Sequence, residues 1–289
     1  MAALTANAQQ PDTALLLVHY KFTHVRDTAN RANPYTENMA LYVGKNACCY
    51  RSYDGVVANA QFRKQVEEQI ANSPDGRITV NRIGRGTPIE YYQYPNKKAL
   101  VRKEWMFNNY LVPDTLPAIA WQITSDTSTF GGLQCQKATA HFKGRDYTAW
   151  FCPDLPLHVG PWMLNGLPGV IVEAYDAKKE VVFKFDGVEK VVLSAKSDGT
   201  APDDKNKASK MFPDLGEDPN IIEPPTNTIT ITEKEFMKLQ MANEKDPQAF
   251  ANSAMSTDGP GPKMSMSIKR NGSGPVINNP IELPEKANK

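Results

Sequence analysis

GPWMLNGLPGVIVEAYD, Gly160 to Asp176, is the stretch whose reading decides the fold. Its first ten residues hold two prolines and three glycines around Trp162, Met163, Leu164 and Leu167, and a strand pattern follows at once. Pro161 and Pro168 fix φ near about −65° and remove two N–H donors. Gly166 and Gly169 permit positive φ or close backbone approach. Between Gly160 and Val172 the only polar side chain is Asn165, so the turn offers no nucleophile, acid or base. The segment therefore reads as a packed corner, with Gly160, Pro161, Gly166, Pro168 and Gly169 as a structural turn and Trp162 plugging the end of a sheet. Its alternative use is a docking or ligand surface made by Trp162, Met163, Leu164 and Leu167.

The neighbours of this corner are strands. Upstream, QCQKATAHF, the turn KGRD and YTAWFC form a β-hairpin. Downstream, GVIVEAYD turns at Ala177–Lys179 into EVVFKFDGVEKVVL. Nearer the N-terminus, Ala14 to Val25 alternates, with Leu17, His19, Lys21 and Thr23 on one face and Leu16, Val18, Tyr20 and Phe22 on the other. After a polar, Asn-rich loop, MALYVG reads as a second strand. From Ala58 to Ser73 the period changes: Phe62, Val66 and Ile70 recur every four residues, the mark of an amphipathic helix. RITVNRI, PIEYYQYP and ALVRKEWMF are further short strands.

Residues 194–225 are polar and turn-rich, a long surface excursion. TITIT then leads into a helix with Thr232 as N-cap, Glu235 as capping-box partner and Ile231 with Phe236 as a hydrophobic staple. This helix should end near Asn243, before Asp246-Pro247. The expected fold is mainly β: a curled antiparallel meander or incomplete barrel with a few packed helices, in a single β-rich domain over residues 13–289.

Composition narrows the class. The 289 residues carry 33 basic and 32 acidic side chains, without the basic surplus of a nucleic-acid binder. No apolar run reaches the roughly 20 residues that span a bilayer, so no transmembrane segment is expected. Ala6-Asn7-Ala8 has the small-x-small form of a signal-peptidase site, followed by Gln9-Gln10. Residues 1–12 are read as a flexible remnant of an export signal.

In an exported chain, the four cysteines Cys48, Cys49, Cys135 and Cys152 permit disulfides. With Gly144-Arg145 at the hairpin tip, Cys135 and Cys152 lie one diagonal step apart, and a register shift of two residues would bring them opposite. At least one disulfide is expected, most readily engaging Cys135 or Cys152. Cys152, Asp154 and His158 would make a thiol hydrolase only if they met around a stabilised thiolate. For copper or zinc, His24 and Asp27 are the better pair, because HVRD can turn at the strand end; Met264 and Met266 add thioethers suited to Cu(I). No CxxC or HxxxH frame is present, and no cofactor is implied.

The core LQCQKATAHFKGRDYTAWFCPDLPLHVGPWMLNGLPGVIVEAYD resembles the signature of the GLPGLI family of exported Bacteroidota proteins. Here the turn reads GLPGVI, with Val170 in place of the usual leucine. HYKFTHVRDT, LYVGKN, the phenylalanine helix after TITIT and the closing NPIEL are also similar. The resemblance implies a periplasmic or outer-membrane-associated protein of unknown biochemical function, often near TonB-dependent transport systems, and it brings no catalytic residues. The resulting expectation is a non-catalytic envelope protein, an accessory or binding partner of outer-membrane transport or assembly. Metal binding and thiol-dependent hydrolysis are the alternatives.

Overall fold

The alternating strands become one large sheet. A computed structural model describes residues 11–72, 86–191, 218–255 and 276–285. Its first meander runs β2 (Leu16–His24), β3 (Tyr35–Val43), β4 (Cys48–Ser52), β5 (Ile89–Tyr94), β6 (Ala99–Met106) and β7 (Asn108–Thr115). The second runs β8 (Gln122–Phe130), β9 (Leu133–Phe142), β10 (Arg145–Cys152), β11 (Val170–Asp176) and β12 (Val181–Lys190). β12 pairs antiparallel with β2, which fuses the meanders into a sheet of 12 strands. Its far edge is β14 (Ile229–Thr230), which pairs parallel with β7. The fold is thus mainly β, as expected, and the sheet stays open between β14 and β8.

Curling gives the sheet an inside. Leu100 of β6, Leu41 of β3 and Cys135 of β9 are far apart in strand order, yet they share one apolar cluster with Trp162, Leu164 and Leu167. The other face of the β2–β6 half carries a smaller cluster around Tyr42, Cys49 and Tyr92. Beside that face lies α1 (Tyr53–Asn72), which buries Phe62 and Val66. It begins at Tyr53, five residues before the amphipathic pattern is recognisable. α2 (Glu233–Lys245) has the full capping box from Thr232 and Glu235, and Phe236 seats it on Met106, Tyr110 and Val112. α3 (Pro247–Met255) follows directly, with Pro247 in its first turn, where no N–H is needed.

The structure corrects two boundaries. Asp12 is not part of a loose terminus: β1 (Asp12–Thr13) pairs with β13 (Ile221–Ile222). The Asp12 carboxylate accepts from the N–H groups of Asn46 (2.6 Å) and Ala47 (3.0 Å). Hence the 218–225 end of the expected excursion is strapped to the sheet, while 192–217 lies outside the described residues. RITVNRI and Met264 and Met266 also lie outside them. β7 contains Pro113 within its strand, opposite Val101. The β14 partner covers only Tyr110 and Leu111, so Pro113 sits where β7 needs no donor on its outer side.

Candidate functional site

The corner at Gly160 is interior. Trp162 is 2 % exposed, and Met163, Leu164 and Leu167 are buried with it, so these four side chains offer no surface for docking. Its indole packs on Phe142 and Tyr147, with ring centroids 5.6 and 6.4 Å away. Gln93, buried on β5, donates Nε2 to the carbonyls of Gly160 and Trp162, both at 2.9 Å. Asn165 donates Nδ2 to Pro117 and Met163, and Trp121 Nε1 donates to the Asn165 carbonyl at 2.8 Å. At Gly169 the backbone has φ +153°, and a Cβ there would lie 2.1 Å from the Cys152 carbonyl oxygen. Trp162 itself has φ +55°, a conformation rare for a large side chain. The many contacts around it hold that backbone in place.

The cysteine expectation needs correcting too. All four cysteines are free and buried. The two-residue turn is Lys143-Gly144, because Phe142 pairs with Arg145 and Gln136 with Phe151. The register therefore shifts by two, and Cys135 comes beside Cys152. Burial, with Cys152 as neighbour, pushes the Cys135 thiol up to about 12. A buried, protonated thiol fills core volume and is a poor nucleophile. His158 is exposed while Cys152 is fully buried, so the hydrolase set does not assemble.

His24 and Asp27 serve the chain's own backbone. The His24 ring donates Nε2–H to the Asn279 carbonyl at 2.8 Å. Burial, with Arg26 and Arg145 nearby, lowers its pKa to about 4. The Asp27 carboxylate accepts from Ala29 N and Asn278 Nδ2. Among the described residues no group of three or more His, Cys, Asp or Glu is placed to hold a metal. Both residues instead anchor the closing NNPIEL segment. Arg145, 4 % exposed, completes that anchor. It donates to Asp176 at 2.7 Å, to Asn279 Oδ1 at 2.8 Å and to the carbonyls of Ile281 and Pro280.

An open cleft lies on the other face of the sheet, beside α1. Register builds its floor. Lys103 pairs with Glu90 across β5 and β6, and Trp105 pairs with Asn109 across β6 and β7. Continuing the β4–β5 register brings Arg51 alongside Glu90. One row of the floor is therefore Arg51–Glu90–Lys103, and the next holds Trp105 and Asn109. Lys103 Nζ donates to Glu90 Oε1 at 2.7 Å, and Tyr92 donates to Oε2 at 2.6 Å. Burial pushes the Glu90 carboxyl up, but Lys103 and Arg51 outweigh it and hold it below the ordinary carboxylate range. Arg51 donates to the Pro219 carbonyl, and its guanidinium lies over the Tyr42 ring, 4.2 Å from the centroid.

The cleft volume is about 410 Å³. α1 lines it with Gly55, Asn59 and Arg63, and the strapped segment lines it with Asp218, Glu223 and Pro224. A second lobe of about 150 Å³ shares Trp105 and Asn109 with the first and adds Asn108, Asn227 and Phe107. Trp105 is 39 % exposed. Asn109 is 9 % exposed and lines both lobes. None of these residues stood out in the sequence as a site. Alternation in PIEYYQYP and ALVRKEWMF does put Glu90 with Tyr92 and Lys103 with Trp105, but nothing local says that the two strands pair in this register.

No protein-family model and no curated protein matches the chain. Among solved structures it is similar to PNGF-II in two crystal forms, at TM-score 0.47 and 12 % and 10 % identity. The matches cover 80 % and 77 % of this chain but 33 % and 32 % of those chains. The chain thus spans about a third of the length of PNGF-II. A likeness this distant leaves function to the chain's own residues.

Proposed function

We propose that this chain is an exported, non-catalytic cell-envelope protein of the GLPGLI kind, an accessory or binding protein of outer-membrane transport or assembly. Its binding site in this reading is the cleft between α1, β4–β7 and the 218–226 segment. The observation that carries the reading is the state of the cleft's ionisable floor. Glu90 is held by Lys103, Tyr92 and Arg51, so it is neither a poised acid nor a poised base. The buried thiols elsewhere are equally unsuited to attack. Trp105 and Asn109, which also line the cleft, carry groups suited to recognition rather than to proton transfer. At roughly 400 Å³ the cleft is within the range of small-ligand sites.

Localisation and capture test this directly. Expressed behind its native leader, the protein should fractionate with the periplasm or outer membrane. Cross-linking in intact cells should join it to a TonB-dependent transporter or another envelope component, and Trp105→Ala should weaken that capture. Mature protein confined to the cytoplasm would overturn the proposal.

A further inference from the structure

We infer that the outer part of the closing segment, residues 282–285, is a pH-sensitive latch. It is held down on the β9–β10 turn while His141 carries its second proton, and it lifts more readily once the ring is neutral.

The closing segment is attached in two ways. Its inner part, Asn278 to Ile281, is fixed to the ends of β2 and β10. Asn278 and Asn279 donate their N–H groups to the Arg26 carbonyl, both at 3.0 Å, and Arg145 reaches Asn279, Pro280 and Ile281. The Ile281 side chain packs against the main apolar cluster. The outer part is bonded to the turn. Leu283 N–H donates to the Lys143 carbonyl at 3.0 Å, Lys143 Nζ lies 3.0 Å from Glu282 Oε2, and Gly144 N–H donates to Glu285 Oε1 at 3.0 Å. Leu283 also packs on Gly144, where an added Cβ would lie 2.8 Å from the Leu283 Cβ.

His141 closes this arrangement. Register sets it directly across from Asp146. Its Nδ1 is 2.6 Å from Asp146 Oδ1, and its Nε2 is 2.8 Å from Glu285 Oε2. Each ring nitrogen therefore faces a carboxylate. Only the imidazolium has an N–H on both nitrogens. A neutral ring has one N–H and turns a lone pair toward the other carboxylate, so loss of the proton replaces an attraction by a repulsion. One exposed ion pair is worth little. Here a single proton decides two contacts, and one of them ties the segment to the sheet.

The hydrogen bonds to Asp146 and Glu285 raise the His141 pKa above its ordinary value. The latch contribution is therefore complete below pH ~6.5 and is lost as pH rises through the raised folded value. The other charged groups around the latch are Lys143 and Glu282 on its flank, Arg145 with Asp176 and Glu180 at the inner part, and Lys178 and Lys179 after Ala177, whose N–H bonds to the Asp146 carbonyl. Tyr91 and Tyr147, which sense the Glu282 charge, are pushed up by burial. His24, bonded to Asn279, stays neutral in the fold down to about pH 4. Lys286, next in sequence, lies outside the described residues. His141 is thus the imidazole of this set that changes charge near neutral pH.

Ring and methyl NMR on the full chain, from about pH 5.5 to about pH 9, tests this. The His141 ring should titrate above an ordinary imidazole. The Leu283 methyl shifts, and the NOE from those methyls to the Gly144 α protons, should change with the same midpoint, while the Ile281 methyls stay in place. The ratio of lifted to latched segment should rise about threefold across the titration, the size of a small number of exposed charge pairs. Salt at about 0.5 M should shrink that change. Glu285→Gln should bring the His141 midpoint back toward the ordinary value, and His141→Gln should leave the Leu283 signals constant with pH. His141 and Glu285 are exposed, so circular dichroism melts of both variants should stay close to the parent. Titration of His141 with no response at Leu283 would overturn the latch. So would a Leu283 response that persists unchanged in His141→Gln. Ile281 moving together with Leu283 would show general loosening of the segment and would overturn it as well.

Discussion

Replacing Trp162 by alanine tests whether the corner is core. The side chain is 2 % exposed and contacts Phe142 and Tyr147. Emptying such a site costs about 3–5 kcal/mol when the surroundings cannot close in. Here they cannot, because Gln93 holds the loop carbonyls on one side and Ile171 pairs back to Val159 on the other. One effect acts the other way. The indole N–H is buried without a partner of good geometry, and removing it relieves a penalty of ~1 kcal/mol or more. The lower half of the range, ~3–4 kcal/mol, is therefore expected. For a chain of this size, a loss of 1 kcal/mol lowers Tm by roughly 2–4 °C, so Tm should fall by on the order of 10 °C. Trp162→Phe keeps most of the volume and deletes the orphan N–H, and should lose less than half as much. Circular dichroism melts and urea titrations of the three proteins measure this. A Trp162→Ala protein melting within ~2 °C of the parent would refute the packed-corner reasoning.

Gly169→Ala should destabilise by ~2 kcal/mol or more, because its Cβ meets a carbonyl oxygen and its φ is one L residues avoid; urea midpoints read the loss. Arg145→Ala leaves Asp176 buried without its cation, while Glu180 keeps Arg31, and should cost about 3 kcal/mol or more, seen in the same titrations. His24 has its folded pKa lowered from 6.5 to about 4, so the folded state binds fewer protons than the unfolded chain. The stability this contributes is complete above pH ~6.5 and is lost as pH falls toward 4; His24→Gln should flatten the stability–pH slope in that window. All four thiols should resist alkylation in the native protein and react fully in denaturant, followed by intact mass; a disulfide in protein isolated from the cell envelope would contradict the free, buried cysteines.

Local physics made much of the fold legible. Alternation exposed β2, β9, β10 and β11, because each has one face toward an apolar interior. The α2 start was legible because a capping box is satisfied within four residues. β7 and β8 were not, for opposite reasons. β7 holds Pro113 and two asparagines, poor strand residues, and is stabilised by β6 and α2. β8, QITSDTSTF, is an edge strand with mostly exposed side chains and so shows no apolar period.

The corner from Gly160 to Gly169 was determined by sequence alone, since its prolines, glycines and missing titratable groups are local facts that already imply rigid packing without chemistry. Its depth was decided elsewhere, by curling of the sheet that brings Leu100 and Cys135 into the same apolar cluster as the indole. Arg145 reads in sequence as an exposed turn residue, and becomes a buried anchor only because residues 279–281 return from over 130 positions away. The cleft depends still more on tertiary structure. Arg51, Glu90, Lys103 and Asn109 lie on four strands, and which of them become neighbours is set by register, a long-range quantity that no single strand encodes.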